Sequence, residues 1–121
     1  MSSGLFQRLT LFFAGVIGAL GVALSAMAAH GDDPRLMGAA AAACMSQAPA
    51  LLALYAGFDK VRTAALASLL MIVGCLLFAI DLIVRTRTGT GLFPMSAPTG
   101  GTMMILGWVA VAVGALFKER S

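Results

Sequence analysis

Residues 9 to 29 carry no charged side chain, and the run stops abruptly at His30-Gly31-Asp32-Asp33-Pro34. A helix of that length, at about 1.5 Å rise per residue, crosses a hydrocarbon core of roughly 30 Å. Inside such a core every backbone N–H and C=O must be bonded within the protein, so a spanning segment of this length is a helix. Three more apolar stretches follow. Residues 36–58 are uncharged, residues 63–84 hold one acid, Asp81, and a last run extends from about 99 to 117. The expectation is an all-α protein, an integral membrane four-helix antiparallel bundle, forming a single transmembrane domain over residues 1–121. Its helices fall at about 9–30, 34–57, 62–84 and 99–117, with a long outer loop at 85–98.

Composition agrees with that reading. Hydrophobic residues make up 60% of the chain and charged ones 11%, against about 25% in ordinary soluble domains. A water-soluble surface cannot be covered by so few charges. The net charge is +3, and the basic residues stand at the ends of apolar runs rather than in one patch. They read as topology signals, which excludes a nucleic-acid surface. Cys44 and Cys75 lie in the middle of apolar runs and read as small hydrophobes. No Cys/His spacing implies a metal. Arg8, an apolar run and then Ala26-Met27-Ala28 imitate a secretory signal, but the run is longer than a signal core. It is read as a retained helix.

The helix-packing residues are small. Ala14, Gly18, Gly21, Ser25 and Ala28 recur at steps of four and three, a stripe that lets helix backbones approach in lipid. Gly74 belongs to a stripe on the third helix with Ala64, Ala67, Met71, Phe78 and Asp81. Gly100, Gly107 and Gly114 repeat every seven residues on the fourth. Between the first two helices, Gly31 suits a left-handed helix end, Asp32 or Asp33 an N-cap, and Pro34 a first helical position. Trp108 falls near mid-helix, with its ring expected between helices.

Few side chains carry chemistry. Gln47 lies at mid-span beside Ser46 and the kinking Pro49, and is expected to hydrogen-bond a neighbouring helix. Asp81 stands four residues before Arg85, the spacing of a helical ion pair. His30 sits at a helix end, where the macrodipole favours a cation. The ligand or ion candidates are therefore His30, Asp32, Gln47 and Asp81. No catalytic set is present: HExxH, GxSxG and phosphate-loop motifs are all absent. No cofactor or metal centre is expected.

Lys and Arg placement sets the orientation. Arg8, Lys60, Arg62, Lys118 and Arg120 share one side of a four-span chain, and Arg35, Arg85 and Arg87 the other. This bias places both termini inside.

Two passages carry a family resemblance. Val22-Ala23-Leu24-Ser25-Ala26-Met27-Ala28-Ala29-His30 is similar to a "VALGAFGAH" signature, and Pro98-Thr99-Gly100-Gly101 with Leu106-Gly107-Trp108 to a "TPxGG…GW" pattern. Both belong to the small four-helix bacterial inner-membrane proteins called YgdD-like, which carry domain of unknown function 423. The chain resembles a divergent member: Gln47 stands at a position where the family has histidine, and Asp81 where serine is usual. The resemblance implies a multi-pass location in the bacterial inner membrane, with membrane lipids as surroundings, and brings no activity.

Three functional readings follow. The first is a non-enzymatic structural or interaction protein, with a homo-oligomer or another membrane protein as partner. The second is a small transporter or channel using Gln47 and Asp81 with His30. The third is an outer-face metal or lipid-headgroup site built from His30 with Asp32, Asp33 or Asp81.

Overall fold

The computed structural model describes residues 3–31 and 33–117. Four helices follow one another: α1 (Ser3–Ala29), α2 (Pro34–Ala56), α3 (Ala64–Thr88) and α4 (Ser96–Gly114). There is no strand among the described residues. All four are long and apolar enough to cross a membrane. Even α4, with 19 residues, extends about 28 Å.

Cross-helix hydrogen bonds fix the helices as antiparallel neighbours. The Gln7 amide on the first turns of α1 donates to the Tyr55 carbonyl at the end of α2 (3.0 Å). The Thr63 hydroxyl, just before α3, donates to the Ala110 carbonyl near the end of α4 (2.5 Å). The phenyl rings of Phe6 and Phe58 meet at the same end, 6.3 Å between centroids.

The turn between α1 and α2 is made by its own residues. Gly31 takes φ +94°, a conformation a side chain disfavours and glycine does not. Asp33 is the N-cap; its carboxylate accepts the Leu36 N–H at 3.5 Å, and Pro34 follows at the first helical position. Asp32 lies outside the described residues.

The core is a seam of small and medium side chains. α1 contributes Ala14, Ile17 and Leu24; α2 contributes Met37, Ala40, Cys44, Ala48 and Leu51; α3 contributes Ala67, Met71, Cys75 and Ala79. A methyl group added at Gly21 would meet Met45 Sδ at 2.7 Å and Cys44 Cβ at 3.0 Å, and one at Gly18 the Ala48 methyl at 3.5 Å. The small stripe of α1 thus lies on α2. Ser25 does not join it: its side chain is exposed and its hydroxyl returns to the Gly21 carbonyl (2.9 Å).

α3 uses two faces. Cys75 meets Cys44 of α2, sulfur to sulfur at 3.8 Å, both thiols free and fully buried. The face holding Ala67, Met71, Gly74 and Phe78 meets α4. A methyl at Gly74 would lie 2.7 Å from the Gly100 carbonyl oxygen, and one at Gly100 would lie 2.7 Å from the Gly74 carbonyl oxygen. At Gly107 a methyl would meet Met71 Cγ at 2.8 Å, and at Gly114 Val61 Cγ1 at 3.1 Å. The seven-residue glycine repeat is therefore the contact line of α4. α1 packs on α2 and α3, whereas α4 packs on α3 alone.

Two expectations change. The 85–98 loop shrinks to residues 89–95, because α3 runs on through Thr88 and α4 begins at Ser96. Thr86 and Thr88 turn their hydroxyls onto the Leu82 and Val84 carbonyls (3.0 and 2.9 Å), and Gly89 closes the helix at φ +83°. Pro98 does not stop α4, because it falls in the first turn, where a missing N–H costs no helical bond. At the other ends, α3 begins at Ala64 and α4 stops at Gly114. Trp108 is not enclosed between helices. It is 46% exposed and lies at the mouth of an apolar recess of about 220 Å³ formed with Ala53 and Leu54 of α2 and Met71 of α3.

Candidate functional site

A carboxylate inside an apolar helix is costly unless its lone pairs are filled. Asp81, on the fifth turn of α3, is fully buried, and both of its oxygens accept hydrogen bonds. Oδ2 accepts from Nη2 of Arg85 at 3.2 Å, one turn further along α3. Oδ1 accepts the Leu92 backbone N–H at 2.7 Å and a very short bond from the Ser96 hydroxyl. One side chain thereby holds its own helix, the 89–95 connection and the first residue of α4.

The sequence around it is arranged for this grip. Gly91 lies so close to the ion pair that any side chain would collide with Asp81 Oδ1 and Arg85 Nη2. α4 has no side-chain N-cap, because its N-cap residue is Met95, at φ +67°; Ser96, the first helical residue, gives its hydroxyl to Asp81. The i,i+4 pair with Arg85 follows directly from spacing. Leu92 and Ser96 carry no such signal; the one local hint is a serine within reach of a short loop.

The other candidates are not gathered there. His30 is exposed, with Nδ1 2.7 Å from the Ala26 carbonyl of its own helix. Asp33 caps α2. No group of three His, Cys, Asp or Glu residues able to hold a metal occurs among the described residues. Gln47 departs from expectation. It is buried, but its amide N–H donates to the adjacent Ser46 hydroxyl (3.0 Å) rather than to another helix, and its Oε1 has no hydrogen-bond partner. Ser68 on α3 is fully buried with an unpartnered hydroxyl, a polar position that sequence reading passed over.

Beside the Asp81–Arg85 pair lies an open recess of about 480 Å³, lined by Arg85 and the connection from Gly89 to Met95. Its rim exposes Leu92, Phe93 and Met95.

No curated protein and no solved structure matches the chain. A family model described as "Protein of unknown function (DUF423)" matches residues 24–101. The matched segment begins late in α1 and ends in the first turns of α4, so it holds the first turn and every member of the Asp81 grip. With four helices able to span a bilayer and a match over more than half its length, this chain is a multi-pass membrane protein that belongs to the DUF423 family.

Proposed function

We propose that the protein is a non-enzymatic structural or interaction component of the bacterial inner membrane, with both termini on the cytoplasmic side. The observation that carries this reading is the contrast between its polar and its apolar groups. Asp81, the one acid within a span, spends both oxygens on its own hairpin. Meanwhile α4 packs on α3 alone and exposes Ile105, Trp108, Val109 and Val113. In lipid such a face can meet a second helix through van der Waals contact of its side chains. A homo-oligomer, or a complex with another membrane protein, uses that face.

Native mass spectrometry of gently extracted protein tests this directly. A species heavier than the 12.4 kDa chain that is lost when Val109 is changed to Lys supports the reading. A strict monomer with no co-purifying protein overturns it.

A transport reading rests on a different observation, the unpartnered Oε1 of Gln47 and hydroxyl of Ser68 within the core. A polar solute, proton carrier or water passing through needs groups of this kind at depth. Proteoliposomes loaded with a pH-sensitive dye separate the two. Proton flux that falls in Gln47→Leu favours transport, and equal flux with protein-free vesicles removes it.

A further inference from the structure

Arg85 is held from behind and open in front. Asp81 takes one N–H from its fork, and this ion pair is the single polar contact of the guanidinium among the described residues. The guanidinium has five donors, so most remain for a partner on the side of the 480 Å³ recess it lines. That volume lies in the range of small-ligand sites.

The charge around the recess selects the sign of that partner. From residue 81 to residue 117 the chain holds one acid, Asp81, and two cations, Arg85 and Arg87. The acid is fully buried with both oxygens bonded, and no carboxylate lines the recess. The uncapped start of α4 adds the positive end of a helix dipole beside it.

The position selects its chemistry. Arg85 and Arg87 stand in the last turn of a helix long and apolar enough to cross a membrane, the end at which basic side chains reach the headgroup boundary. The rim offers exposed Leu92 (45%), Phe93 (47%) and Met95 (69%) next to the guanidinium. A partner with a phosphate and an adjoining hydrocarbon chain satisfies both.

We propose that this recess binds the phosphodiester headgroup of an anionic phospholipid, with the guanidinium of Arg85 meeting the phosphate and the 92–95 segment lying against the acyl chain. Asp81 is a positioning residue that aims the fork.

The test is native mass spectrometry of the detergent-solubilised full chain, titrated with phosphatidylglycerol, with phosphatidylcholine, and with inorganic phosphate. Wild type retains phosphatidylglycerol over phosphatidylcholine. R85Q lowers that preference about five- to tenfold, the weight of one arginine at a membrane surface. R85K, which keeps the charge and a donor for Asp81, falls between the two. Equal retention of the two lipids by wild type, or an unchanged preference in R85Q, overturns the proposal. If R85Q does not fold by circular dichroism, R85K decides: a preference equal to wild type overturns the role of the guanidinium fork. Displacement of the lipid by millimolar inorganic phosphate assigns the site to a soluble anion and overturns the lipid.

Discussion

The two hairpins of this protein are closed in opposite ways. The α1–α2 pair turns within four residues, using Gly31 at positive φ, Asp33 as cap and Pro34 at the helix start. These three residues act locally and are exposed. The α3–α4 pair turns through residues 89–95, and its closure depends on a buried carboxylate gripping Leu92 and Ser96 from the body of α3. The first closure is a matter of backbone preference. The second is a matter of satisfying a charge that has nowhere else to go, so every partner is bound to the others. A turn built from local preferences loses little when one part changes. A buried polar cluster loses much, because each remaining partner is left unpaired.

The helix contacts repeat the contrast. At Gly21 the nearest obstacle to a larger residue is the flexible end of Met45, while at Gly74 and Gly100 it is the partner's backbone. At Gly21 most of the room can come from the Met45 side chain, with a small shift at Cys44. α4 can move away from α3 only as a whole.

Three substitutions test this difference. Asp81→Ala should cost about 4 kcal/mol, because the Leu92 N–H and the buried Ser96 hydroxyl lose their acceptor, at roughly 2 kcal/mol each, while the partly exposed Arg85 can turn to solvent. Reversible unfolding in mixed micelles measures it. A loss no larger than about 1 kcal/mol, the value of an ordinary helix cap such as Asp33, would erase the distinction between the hairpins. Gly100→Val should cost about 3 kcal/mol by driving a side chain into the Gly74 carbonyl. Disulfide trapping between cysteines placed on α3 and α4 should slow in the same variant, while trapping between α1 and α2 should not. Gly31→Ala has open space around it, so its cost is the left-handed backbone alone, about 1 kcal/mol. If that variant instead matched Asp81→Ala in the same unfolding assay, the first turn would have to carry tertiary contacts not found among the described residues.

The four spans, the first turn and the glycine line of α4 are legible in the sequence because each depends on short-range properties. Hydropathy over about 20 residues decides whether a helix can cross a bilayer. Gly31, Asp33 and Pro34 act on their own backbone, and a seven-residue repeat returns to the same helix face. The Asp81–Arg85 pair is legible for the same reason, since both residues sit on one helix at adjacent turns.

The rest was decided by residues far apart in the chain. Leu92 and Ser96 join Asp81 only because the 89–95 connection folds back over α3. Gln47 keeps an unpartnered oxygen because its amide meets Ser46 and the opposing helices present no donor to it. Trp108 lies at an open recess because α4 lies against α3 and leaves a gap toward α2. Apolar periodicity tells a helix which face to bury. It does not tell which helix will cover that face, because in lipid the choice rests on the fit of backbone against backbone, and that fit exists only once the helices have met.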